Sequence, residues 1–217
     1  MKSFVVVLLL LLSMVTHAGP RSSQEVVNPV VAELMGDVLY FQLDNSSKSL
    51  HRINAMVDKA KGLASVADSE VQGAFLESVV KLMYGHKARG RFDPEQLKNV
   101  SYHYERLVNG ERQAVHQNPA LLMLDLRYRY LAMTLPSLSA GNILVVPLQY
   151  SLEDSLSSVD SRMAGLVKAT AADQLGRKWA FIKTRVSDYN NRPIPALANN
   201  MLLNIATELQ GRQLAMR

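Results

Sequence analysis

Residues 119–135 read Pro-Ala-Leu-Leu-Met-Leu-Asp-Leu-Arg-Tyr-Arg-Tyr-Leu-Ala-Met-Thr-Leu. Asn118 precedes them as a capping residue, and Pro119 suits the first helical position, where its missing N–H would be unpaired anyway. Leu121, Leu122, Leu124, Leu126, Tyr128, Leu131 and Leu135 then fall on most sides of the helix. A helix that is apolar nearly all round has to be covered nearly all round. The stretch therefore predicts a central, buried helix over 119–135 and an all-α fold built around it.

Working outward toward the N-terminus, the period stays helical. Asp93-Pro94 caps a helix whose stripe is Leu97, Val100, Tyr104 and Leu107, then Glu111, then Ala114 or Val115, with Gln96 placed to complete a capping box. Residues 69–88 carry Val71, Phe75, Val79 and Leu82, and the glycines and cations of Gly85–Arg91 end that helix. Asn28-Pro29 opens another, with Val31, Met35, Val38, Phe41, Leu50, Ile53, Val57, Ala60 and Ala64 in phase. That unbroken phase predicts one long first helix over 29–64, about 50 Å at ~1.5 Å per residue. Gln42, Asn45, Ser46 and Ser49 interrupt its stripe with polar groups.

Toward the C-terminus, Pro136 marks a boundary, and residues 136–150 read as an extended connection between two helical halves. The run Ile143–Val146 has no partner strand. Ser151 and Asp154 form a capping box before the stripe Leu152, Leu156, Val159, Met163, Leu166 and Thr170. Leu175, Trp179, Ile182, Val186 and Tyr189 follow on a shifted phase, so a break falls near Ala172–Gly176. After a turn at Asn191–Pro195, Leu197, Met201, Ile205, Leu209 and Met216 make the last helix. The expectation is an antiparallel bundle of six or seven helices, with no substantial sheet, forming one domain over residues 19–217.

Before that domain, residues 1–18 predict a cleavable signal peptide. Lys2 is followed by an apolar run from Phe4 to Leu12 that extends through Val15, too short for a bilayer span of about 20 residues. Thr16-His17-Ala18 puts small residues where a signal peptidase cuts, so export to a periplasm or the outside is expected, with cleavage near Ala18. The alternative is an uncleaved anchor. No later stretch is long and apolar enough to span a membrane. Losing Lys2 lowers the formal charge from +5 to +4, too little and too dispersed for nucleic-acid binding.

Chemistry is narrowed by absences. The chain has no cysteine, which removes disulfides, thiol catalysis and cysteine metal sites. The histidines His51, His86, His103 and His116 lack metal-ligand spacing, and there is no HExxH, GxSxG or phosphate loop, so no metal or cofactor is implied. His103 and Glu105, two apart, point to different helix faces. No motif assigns the chain to a family.

Three groups of residues remain as candidates. Asp125 and Arg129 sit one turn apart on the apolar helix with Arg127 on another side, and Glu111 lies on a neighbouring stripe. They form either local ion pairs or a polar pocket in which Arg129 grips an anion. Gln42 and Asn45 either face solvent, set register or line a cavity between helices. His86, Lys87, Arg89 and Arg91 either answer a helix C-terminus or meet an anionic partner. The favoured function is an exported, non-catalytic binding or interaction protein with a small ligand or protein partner. A helical enzyme acting on a small anion, and a structural or assembly component, are the competitors.

Overall fold

A computed structural model describes residues 27–63, 66, 69–138, 151–169 and 174–215. The expected signal peptide, the run Ile143–Val146 and the stretch 170–173 of the expected break lie outside these residues. Among the described residues the structure is helical, without strands, and nine helices follow in order. They are α1 (Pro29–Asp44), α2 (Ser47–Lys61), α3 (Glu70–Arg89), α4 (Pro94–Gly110), α5 (Arg112–Gln117), α6 (Pro119–Leu138), α7 (Leu152–Ala169), α8 (Gln174–Ser187) and α9 (Pro195–Ala215).

Nine rather than six or seven arises because two expected helices each divide. The long first helix over 29–64 is a correction: it ends at Asp44 and restarts at Ser47. Asn45 adopts the left-handed conformation, with φ 40°, and its N–H closes α1 on the Phe41 carbonyl at 2.9 Å. Asparagine tolerates that region because its short amide compensates locally. Ser46 then accepts the Ser49 N–H at 3.1 Å as the cap of α2. The second division is at Glu111, which closes α4 and opens α5 instead of sitting inside one helix. The apolar helix also continues past Pro136 to Leu138.

Capping signals fix the starts of the other elements. Asn118 Oδ1 accepts the Ala120 and Leu121 N–H groups at 3.0 and 3.2 Å, starting α6. Ser151 Oγ accepts the Asp154 N–H at 3.0 Å while Asp154 reaches back to the Ser151 N–H, the reciprocal box expected for α7. Asp93 caps α4 and Gly90, at φ 69°, closes α3.

Every residue from Ala120 to Ala132 is buried, so α6 is the central helix. It packs against α1, α7 and α9, while α3 pairs with α4 and α8 with α9. One apolar cluster joins all these elements, from Val27 to Leu209. Because residues 120–132 of α6 are covered on all sides, Asp125, Arg127 and Arg129 have little access to solvent, and each must meet a partner inside the protein.

Candidate functional site

Arg127 and Arg129 have no exposed surface, and each is held by a different set of partners. Arg129 is held within its own helix and by α4. Its Nε and Nη2 donate to the two oxygens of Asp125 at 2.7 and 3.1 Å, and Nη1 lies 3.5 Å from Glu105 Oε1. Ser155 of α7 donates to Asp125 at 3.4 Å. Burial opposes the charge on Arg129, but the Asp125 and Glu105 carboxylates outweigh it and hold the guanidinium above its ordinary value. Burial, then Asp125, drives the Tyr104 hydroxyl well up; burial, then Glu105, does the same to Tyr128. The Tyr104 and Tyr128 rings meet edge-on at 4.6 Å. These groups form a sealed knot of charge between α4, α6 and α7.

Arg127 instead reaches across the bundle. Its Nε donates to Asn199 Oδ1 of α9 at 2.8 Å, Nη1 to the Glu33 carbonyl at 3.1 Å, and Nη2 to Asp37 Oδ1 at 2.5 Å. The helices come close enough because α1 presents Gly36 to the guanidinium. A Cβ there would lie 2.5 Å from Nη1. The second Asp37 oxygen accepts from Arg52 Nε at 2.6 Å, and Arg52 Nη2 donates to Glu33 at 2.6 Å. The Asp37 and Glu33 carboxylates raise Arg52 above its ordinary value against the pull of burial, which is the largest single influence.

Over this second cluster lies a cavity of about 280 Å³. It opens where α1 breaks from α2, and Asp37, Tyr40, Asp44, Lys48, Arg52 and Asn199 line it with Asn200 and the Ser46 and Ser49 hydroxyls. Both hydroxyls donate to the Asp44 carboxylate, Ser46 having the larger effect, and hold its pKa below the usual carboxylate range. Burial, and after it Asp44, pushes the Tyr40 hydroxyl up. The break at Asn45 thus turns the polar start of α2 toward buried charges that a continuous helix would have carried past.

The expected residues are therefore divided among several places. Arg129 and Asp125 do meet, as local pairing, and both are buried. Glu111 is half-buried at the α4–α5 junction, and the second carboxylate beside Arg129 is that of Glu105. Gln42 is half-buried and Asn45 exposed, and neither lines the cavity that the break creates. In the basic group, His86 packs edge-on against Phe41 and Phe92 at 5.1 and 5.3 Å. Arg89 pairs with Asp93 at 2.9 Å and donates to Gln96. Lys87 and Arg91 are exposed.

Sequence reasoning noted Arg127 and Glu105 without giving either a role, and passed over Asp37 and Asn199. A signal for Arg127 was present: on a helix apolar all round, no side is free for a lone cation. Among the described residues no histidines and carboxylates gather in threes to hold a metal ion, and no helix is long and apolar enough to cross a membrane. No family model, no curated protein and no solved structure matches the chain.

Proposed function

We propose that the protein is an exported, non-catalytic binding protein and that its ligand is a small zwitterion seated in the cavity at the α1–α2 break. The observation that carries this is the balance of charge around about 280 Å³ of space. Asp37, Asp44, Lys48 and Arg52 line it together, with Glu33 paired to Arg52 and Arg127 to Asp37. Three carboxylates against three cations leave the site near neutral, so a ligand of either single sign gains little.

A ligand carrying both signs gains at both ends. The N–H groups that Arg52 does not commit to Asp37 and Glu33, together with Lys48, suit a carboxylate. Asp44 and the Tyr40 hydroxyl suit an ammonium group. The volume lies at the low end for ligand cavities, which run from about 300 to 1,000 Å³, and so fits a molecule the size of an amino acid. No histidine lines the cavity, and Asp37 is committed to two guanidinium groups, which favours holding charge over moving a proton. That is why binding is preferred to catalysis.

The test is a thermal-shift screen of free amino acids, betaines and polyamines against the purified protein. A ligand at 100 times its Kd stabilises by about 2.7 kcal/mol, a rise of roughly 5–10 °C for a chain of this size. Lys48→Glu with Tyr40→Phe, both outside the buried pairs, should erase the shift. A screen with no hit among zwitterions, or a hit indifferent to this double variant, refutes the assignment. Export is tested separately, by reading the N-terminus of the protein recovered outside the cytoplasm; a mature chain starting at Gly19 is expected.

A further inference from the structure

A second cavity, of about 600 Å³, runs between α2 and α3 on another face of α2 from the polar one. Its floor is apolar, made by Leu50 and Val57 of α2 and Val80 and Met83 of α3. Tyr84 stands beside it with 71% of its surface exposed, a large ring left in water next to unfilled apolar space. On the α2 wall Asp58 and Lys61 offset each other, while the α3 wall carries Lys87 and His86 and no carboxylate. Lys87 makes no ion pair among the described residues, unlike Arg89 two residues on. A helix C-terminus draws lysine on its own account. An exposed ammonium beside an open apolar trough is a different matter, because together they match a molecule with an apolar body and an anionic end.

We infer that this cleft is a binding site for a long-chain carboxylate, with its chain along Leu50, Val57, Val80 and Met83 and its head at Lys87. The size of the cleft decides between this occupant and a protein. A stable protein interface buries at least about 1,000 Å². Of the four floor residues Val57 is buried and the other three are half-buried, so too little apolar surface remains for such a partner. The volume, in contrast, sits within the range of small-molecule sites. The inference does not rest on the zwitterion cavity, which shares no lining residue with this one.

The experiment is calorimetric titration of the purified protein with decanoate, dodecanoate and tetradecanoate below their micellar concentrations. Saturable one-to-one binding is expected, tightening about fourfold per methylene as the chain enters apolar surroundings. Lys87→Glu should weaken dodecanoate about tenfold and leave dodecanol unchanged. Val80→Glu should remove both, with the helical circular dichroism and melting curve of each variant retained. Absence of saturable binding, affinity independent of chain length, or unchanged affinity in both variants would overturn the proposal. A self-association that Tyr84→Glu abolishes, without dodecanoate binding, would assign the cleft to a second copy and overturn it equally.

Discussion

Replacing Gly36 by alanine puts the close approach of α1 and α6 to a direct test. The added Cβ would lie 2.5 Å from Arg127 Nη1, 2.7 Å from Cζ and 3.0 Å from Nε, where ordinary contact needs about 3.5–4.0 Å. The guanidinium must therefore retreat by about 1 Å, and it is pinned by Asn199, the Glu33 carbonyl and Asp37. Such a shift carries at least one of these bonds beyond hydrogen-bonding distance, at a cost of about 1.5–3 kcal/mol for a charged group. Overpacking alone costs about 1–3 kcal/mol, which overlaps that loss. Alanine's better helix propensity returns about 1 kcal/mol. The net expectation is a destabilisation of about 0.5–2 kcal/mol, or a fall in Tm of roughly 1–8 °C. Gly73→Ala is the control: it is also helical, but a Cβ there meets nothing within 4 Å, so it should stabilise by up to about 1 kcal/mol. Urea melts of Gly36→Ala in the native and Arg127→Ala backgrounds complete the cycle. With the guanidinium gone, the substitution should change sign and become stabilising, a coupling well above the ~0.5 kcal/mol scatter of independent sites. A Gly36→Ala protein as stable as the parent, or an equal cost in both backgrounds, would refute the account.

Two further outcomes follow from the buried and capped charges. Arg129→Met should cost about 3–5 kcal/mol by stranding Asp125 and Glu105, whereas adding Asp125→Leu and Glu105→Leu to it should recover most of the loss in urea melts; a triple variant no better than the single one would contradict a sealed structural knot. Trp179, the single tryptophan, donates from Nε1 to Asp160 at 3.1 Å, and bonds from Lys183 first and Trp179 second hold Asp160 below its ordinary 3.8. A depressed carboxylate stabilises the folded state above the unfolded value and loses that contribution as pH falls through the folded one. Acid titration followed by tryptophan emission should accordingly give a step with its midpoint below 3.8, absent in Asp160→Asn; a midpoint at or above 3.8 would exclude the bond as the cause.

Much of the architecture was legible because caps and stripes are local. Asn28, Asp93, Asn118 and Ser151 announced their helices, and the apolar surround of residues 119–135 identified the central one. The break at Asn45 escaped because a hydrophobic period averages over many residues and does not register one left-handed residue. The polar letters Asn45 and Ser46 did encode it, as a left-handed cap followed at once by an N-cap. The candidate site was only half legible for a related reason. Asp125 and Arg129 are one turn apart, so their pairing is readable from spacing. Arg127 finds Asp37 and Asn199 across 90 and 72 residues of sequence, which no local pattern reports. Glu105 was set aside because it does not share a face with His103, although it does share one with the buried Ser101 and Val108.

That single guanidinium also bears on how the chain comes to be folded. Arg127 fastens a helix near the beginning of the sequence to one near its end, so its partners are all present only once almost the whole polypeptide has been made. Until Asn199 arrives, α6 carries a buried cation with an incomplete set of bonds and an apolar surface lacking one of its covering helices. Closure is then a late event of long loop span, slow relative to helix formation itself.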